Sequence, residues 1–209
     1  MKDLIVIGGG GFAKEVIWLA NECNKVVRGV LDDAVETHGT IIQGSIVLGK
    51  VDDWVKYSDC EFIVAIGSPR VRKLVVDKMH ALGSPDFTSL VHPSVLYSNT
   101  VTYGKGSIIC AGSILTADVN LGGHNILNLN VTVGHECSFG DFVTVAPMVA
   151  VSGNVVLRDK VEIGTGAVIR QGLTLSSGSM LGMGGVLTKN IPENTIFAGN
   201  PARKLKEIS

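Results

Sequence analysis

From Val91 to Leu187 every sixth residue is large and apolar, without a slip. The series is Val91, Tyr97, Tyr103, Ile109, Leu115, Leu121, Leu127, Val133, Phe139, Val145, Val151, Leu157, Ile163, Ile169, Leu175, Leu181 and Leu187. A helix repeats every 3.6 residues and a strand every 2, so neither alone carries period six. Short strands joined by tight corners do carry it, as a β-solenoid whose coils stack on one another. The residue after each apolar position is often small, as at Ser98, Gly104, Cys110, Gly122, Gly134 and Gly164. Four places after it stands another small or β-branched residue, such as Val95, Val101, Ser107, Val131 or Ala167. Glycines, Asn and Asp gather between, where a chain that turns so often needs permissive backbone angles. Three such strands make a coil of about 18 residues, so the stretch to Pro192 holds between about five and six coils. Each coil rises about 4.8 Å, and the narrow interior takes one aliphatic side chain per strand. A purely structural solenoid would show a regular outward array, commonly of Thr. Here the outward positions are irregular and include an isolated His.

The first ninety residues follow a different logic. An apolar run at Leu4–Ile7 stops at Gly8, Gly9, Gly10 and Gly11, and helical periodicity follows from Phe12 to Ala20. Residues 26–31 read as a second strand ending at Asp32 and Asp33. Residues 61–66 read as a third, ending at Gly67, Ser68 and Pro69, with a helix over 71–82. This is βαβ order with a parallel sheet, a Rossmann-like βαβαβ α/β unit. The domains expected are 1–86 (Rossmann-like), 87–192 (solenoid) and 193–209 (a tail capping the last coil).

Gly8, Gly10 and Ala13 satisfy G-x-G-x-x-G/A between a strand and a helix, with acidic Asp32 at the end of the next strand. A glycine loop at a helix N-terminus offers backbone N–H groups and the helix dipole to a phosphate. The bland alternative is a tight turn that binds nothing. A dinucleotide normally spans two βαβαβ halves, and this chain supplies one. One half suits a nucleotide diphosphate, so a nucleotide-linked sugar is the better ligand, with Asp32 or Asp33 near ribose or base.

The formal net charge of −1 gives no electrostatic reason to expect nucleic acid or an anionic membrane as partner. The longest apolar runs are of buried-strand length, far below a membrane span. Met1, Lys2 and Asp3 lead straight into a strand with no signal-peptide core, and Cys23, Cys60, Cys110 and Cys137 form no CxxC pair. Buried thiols in a reducing cytoplasm are expected.

The solenoid region holds His92, His124 and His135. His92 precedes Pro93 at the junction and reads as structural. His124 has no acidic neighbour in sequence. His135 stands at the third position of its hexapeptide, hence at a corner and pointing outward, with Glu136 beside it. One coil further on is Gly153, which leaves open surface next to an exposed imidazole.

At this point the chain resembles the sialic-acid/bacillosamine-type sugar acyltransferases, the NeuD/PglD family of the hexapeptide-repeat acyltransferases. The residues that carry the likeness run almost end to end: Ile5 through Lys14, Leu31-Asp32-Asp33, Ile66-Gly67-Ser68-Pro69-Arg70, Asn128 through Cys137, and Gly199-Asn200-Pro201-Ala202-Arg203. The resemblance implies a left-handed parallel β-helix behind a nucleotide-sugar domain. It implies His135 as catalytic base, Glu136 as the adjacent acid, and Asn128 near the acceptor amine. Gly8, Gly10, Gly11, Phe12, Asp32, Asp33, Gly67 and Ser68 would meet the nucleotide sugar. Thr144, Gly153, Thr165, Gly184, Pro201 and Arg203 would meet acetyl-CoA. It also implies a homotrimer with its sites between subunits, and no metal. Two positions depart from the pattern: many members have His where Phe12 stands, and a second His is common where Thr144 stands.

The reaction so implied is acetyl-CoA-dependent N-acetylation of a nucleotide-linked 4-amino-4,6-dideoxy sugar in bacterial surface-glycan synthesis. His135 would take the amine's proton as the nitrogen attacks the thioester, and a backbone N–H would hold the oxyanion. No Ser or Cys is suitably paired with His135, so direct transfer is expected. O-acetylation of a sugar such as sialic acid is the nearest alternative. A zinc hydratase would need three converging His ligands, and a non-catalytic nucleotide-sugar binder would keep the glycine loop without affinity for acetyl-CoA.

Overall fold

The computed structural model describes residues 2–208, and the chain divides into two compact units, Met1–Pro93 and Ser94–Ser209. The division falls at Pro93, later than the boundary at 86 expected from the sequence. In the first unit β1 (Leu4–Ile7) is buried throughout, as a near-continuous apolar run at the centre of a parallel sheet must be. α1 (Gly11–Glu22) follows it, then β2 (Val27–Leu31), β3 (Ile41–Ile42), β4 (Ser45–Gly49), β5 (Glu61–Val64) and α2 (Pro69–Leu82). The sheet order is β3-β4-β2-β1-β5, with β1 parallel to both β2 and β5. The chain therefore reverses its winding direction between β1 and β5, and the crevice at the carboxyl ends of these two strands is the topological switch point.

The antiparallel hairpin β3–β4 was not expected from the sequence. Its two-residue loop, Gln43 and Gly44, has φ of 46° and 80°, the paired left-handed conformation of a type I′ turn.

In the second unit two-residue strands recur every six residues and form three parallel walls. Along one wall Ile114 pairs with Thr132, Thr132 with Ala150 and Ala150 with Val168, so one coil takes eighteen residues. The repeat's apolar residues fill the tube: Leu127, Val145, Leu157, Ile163, Ile169 and Leu181 have no exposed surface. Tyr97 and Tyr103, in the first coil, break that rule at 49% and 38% exposure and pack edge-to-face on each other. Polar Asn125 is also fully buried. It donates to the carbonyls of Gly122 and Gly140 and accepts from Val143, so its burial is compensated.

Each corner turns through one left-handed residue. Positive φ recurs at Gly106, Gly112, Asp118, His124, Asn130, Glu136, Phe142, Met148, Asn154, Lys160, Gly166, Gly172, Gly178 and Gly184, again every six residues. Gly, Asn and Asp suit that conformation; His124, Glu136, Phe142, Met148 and Lys160 hold it at a cost of roughly 1 kcal/mol each. The tail continues the wall. Thr195–Ala198 pairs in parallel with Met180–Leu181, and Arg203–Glu207 folds back antiparallel on it. No helix among the described residues is long and apolar enough to cross a membrane.

Candidate active site

His135 and Glu136 form the turn between Thr132–Val133 and Ser138–Phe139, and both side chains are about two-thirds exposed. The imidazole Nδ1 lies 3.0 Å from Glu136 Oε2. A carboxylate can only accept, so the neutral ring places its proton on Nδ1 and leaves the Nε2 lone pair free. Nε2 hangs over the next coil at Gly153, where a Cβ would sit 2.5 Å from it. Only glycine leaves the ring where it is. Around the pair opens a cleft of about 440 Å³, whose further lining includes Asn154, Arg170 and Gln171.

Cys137 is two residues from His135 and on the other side of the wall. It is fully buried, its thiol donates to the Ser152 carbonyl at 3.2 Å, and burial pushes its pKa up. A buried, protonated thiol is no nucleophile for this cleft.

Thr144 and Thr165 lie elsewhere. Half a coil separates Thr144 from His135, which carries it onto a strand of another wall. There Thr144, Glu162, Thr165, Met183, Ala198 and Leu205 line a second, mostly apolar cleft of about 510 Å³. Asn128 stands one coil below Ala146, which also lines that cleft, and its Oδ1 accepts from the Leu129 N–H at 2.7 Å. Gly184 is the left-handed residue next to Met183. Pro201 is exposed, and Arg203 donates to the Ala202 carbonyl at 3.0 Å, neither being part of the cleft lining. One chain thus gathers His135, Glu136 and Gly153 at one cleft, and Thr144 and Thr165 at another, with Asn128 one coil below that second cleft.

In the first unit the glycine loop and Gly67-Ser68 flank the β1/β5 crevice. Gly8, at φ 99°, abuts Ile66: a Cβ there would lie 2.9 Å from Ile66 Cγ1. Gly10 is the N-cap of α1, Gly11 and Phe12 begin that helix, and Ser68 is the N-cap of α2. Neither cap makes a side-chain hydrogen bond, and neither first turn contains an acid. Two uncapped helix N-termini therefore meet at the switch point.

The two aspartates expected near ribose or base are engaged by the protein itself. Asp32 accepts the Gly9 N–H through Oδ2 and the Ala34 N–H, at 2.7 Å, through Oδ1. Asp33 accepts the Val51 N–H at 3.0 Å and pairs with Lys78 at 2.9 Å. Partial burial pushes the Asp33 carboxyl up, but the Lys78 ammonium and the Val51 N–H outweigh it and hold its pKa below the usual carboxylate value. In this geometry Asp32 braces the glycine loop and Asp33 ties β2 to α2.

Arg72 is the residue sequence reasoning missed. It is fully buried, and its Nη1 donates to the carbonyls of Ile66 at 2.7 Å and Gly67 at 2.9 Å. Nothing in the sequence separated it from Arg70 and Lys73, its charged neighbours. Of the other histidines, His92 packs against Trp18 and His124 stacks on Phe142 at 5.0 Å. Among the described residues no group of His, Cys, Asp or Glu is disposed to hold a metal ion.

The fold and the histidine–carboxylate cleft together define a class, the hexapeptide-repeat acyltransferases, here with a glycine-loop α/β domain in front. Residues 3–79 match the family of the PglD N-terminal domain. GDP-perosamine N-acetyltransferase of Escherichia coli O157:H7 is 34% identical over 215 residues, covering 96% of this chain and 95% of that protein. A histidine-to-asparagine mutant of perosamine N-acetyltransferase from Caulobacter crescentus, solved with CoA and GDP-perosamine, is similar at TM-score 0.92 and 27% identity. The match covers 99% of this chain and 98% of that one. The acetyltransferase domain of PglB from Neisseria gonorrhoeae FA1090, in complex with acetyl coenzyme A, is similar at TM-score 0.90 and 34% identity over 98% of this chain and 99% of that one. The chain belongs to the NeuD/PglD family of sugar O/N-acyltransferases: a Rossmann-like domain followed by a left-handed parallel β-helix.

Proposed function

We propose that this enzyme transfers an acetyl group from acetyl-CoA to the amino group of a nucleotide-linked 4-amino-4,6-dideoxy sugar, with His135 as general base. The observation that carries the reading is the His135–Glu136 pair, with a free Nε2 held over Gly153. The amine nitrogen attacks the thioester carbonyl while His135 Nε2 accepts the proton it loses. Glu136 balances the imidazolium that results. A backbone N–H at a corner holds the tetrahedral oxyanion. Collapse breaks the C–S bond, and the imidazolium returns its proton to the departing CoA sulfur. The products are an N-acetylated sugar and CoA thiol, and no acyl-enzyme is formed.

The nucleotide diphosphate is assigned to the β1/β5 crevice, where Gly10 and Gly11 open α1 and Ser68 caps α2, so that both helix dipoles act on it, with Gly8 and Gly67 shaping the turns that lead there. Asp32 supports it by fixing the Gly9 amide. The apolar cleft of Thr144, Thr165 and Met183 suits the pantetheine arm of acetyl-CoA. That cleft and His135 occupy different corners of one chain, and Met148, Met183 and Leu205 are each about two-thirds exposed or more. A second copy that laid this apolar corner beside the first copy's His135 would bury them and complete the site, as in a homotrimer. The relatives solved with CoA and with GDP-perosamine or acetyl coenzyme A support the two substrates. The same reading assigns the enzyme to cytoplasmic synthesis of a bacterial surface glycan.

The test is acetyl transfer from acetyl-CoA to GDP-, UDP- and dTDP-linked 4-amino sugars, set against free sialic acid, with products read by mass spectrometry. An N-acetylated nucleotide sugar is expected. Acetylation of sialic acid alone would replace the reading with O-transfer.

A further inference from the structure

Arg72 carries a charge into a place where arginine is almost never found without tight compensation. It is fully buried, in the first turns of α2, and its guanidinium holds the carbonyls of Ile66 and Gly67. Those two carbonyls belong to the segment that leaves β5 at the switch point. The same segment touches the glycine loop, since a Cβ on Gly8 would lie 2.9 Å from Ile66 Cγ1 and 3.3 Å from the Ala65 carbonyl oxygen.

We infer that Arg72 is a positioning residue for the nucleotide's diphosphate, acting through the backbone of Ile66 and Gly67. A phosphate at this crevice is attracted by N–H dipoles and repelled by carbonyl oxygens. Both helix N-termini here lack side-chain caps and first-turn acids, so no carboxylate offsets their dipoles at the crevice. A loop free to rotate would set its carbonyls in the same space. Arg72 draws two of them into the protein interior, so the crevice presents donors, and the buried cation adds a positive field beneath them. Through the Ile66–Gly8 contact it also fixes the loop that approaches the phosphate most closely.

This inference rests on the nucleotide-sugar reading, and its test separates the two. GDP and UDP alone serve as probes, with affinity measured by calorimetry on the full-length wild type, Arg72→Met and Arg72→Lys. Melting temperatures are taken in parallel, and binding is measured well below all of them. Arg72→Met should weaken GDP or UDP binding roughly tenfold or more while acetyl-CoA affinity stays within about twofold. Arg72→Lys, which keeps the charge but reaches fewer acceptors, should recover part of the loss. If Arg72→Met does not fold, Arg72→Lys carries the test with the same split between the two ligands. Nucleotide affinity unchanged in a folded variant, or an equal loss for acetyl-CoA, would overturn the positioning role. A wild type that binds neither nucleotide would overturn the nucleotide-sugar reading itself.

Discussion

His135 can lie where it does because of a residue one coil away. The imidazole lies across Gly153, and a single methyl there would stand 2.5 Å from Nε2, far inside contact distance. Gly153→Ala should therefore swing the ring, and a displacement of about 1 Å at a catalytic group costs on the order of 10²-fold in rate. The expected outcome is kcat/KM for acetyl transfer down about 10²-fold with the melting temperature close to wild type, read by initial rates and thermal unfolding. Full activity in that variant would show that the ring's position over Gly153 is not needed for the reaction. That His135, Glu136 and Gly153 come together was legible in the sequence because period six converts residue number into height and direction on a rack. Arg72 was not legible. Between Arg70 and Lys73 it reads as one more solvated charge on a helix, and only tertiary packing reveals that it points inward.

At the level of elements, the regular parts were visible and the irregular ones were not. Strands β1, β2 and β5 and both helices of the first unit follow from apolar runs and the glycines and proline that punctuate them. The β3–β4 hairpin escaped because its turn is Gln43-Gly44 rather than the Asn-Gly or Asp-Gly that advertises a type I′ loop. In the solenoid the exposed Tyr97 and Tyr103 escaped as well, since an end coil has no lower neighbour to pack against. The tie between β2 and α2 yields a pH prediction. Asp33 has its pKa lowered from 3.8 by Lys78 and the Val51 N–H, against the opposing effect of burial. A depressed folded-state pKa contributes stability above the unfolded value that is lost as pH falls through the folded one. Wild type should therefore melt above Lys78→Met near neutral pH, with the gap closing below about pH 4. The groups are half exposed, so the gap is small. A gap that persisted unchanged at acid pH would remove the ion pair as its cause.

For the whole molecule, the sequence expectation of one chain-wide list of site residues resolves into two corners. His135, Glu136 and Gly153 share one cleft, while Thr144 and Thr165 share another. The nine-residue spacing from His135 to Thr144 was visible, but its meaning depends on half a coil being half a turn. If active sites combine the two corners from neighbouring copies, defects at different corners should complement. His135→Ala and Thr165→Trp, each inactive alone, should regain a measurable fraction of wild-type turnover when co-expressed as mixed oligomers, because some sites then receive two intact halves. No recovery in proven mixed oligomers would assign both corners to one copy's site. The role proposed for His135 is tested most directly by single-turnover acetyl transfer to whichever nucleotide-linked amino sugar the wild type acetylates, in wild type and His135→Ala, with affinity for that sugar nucleotide measured on the same preparations. Transfer should fall about 10²-fold or more while affinity stays within a few-fold; transfer at the wild-type rate would show that another group takes the proton.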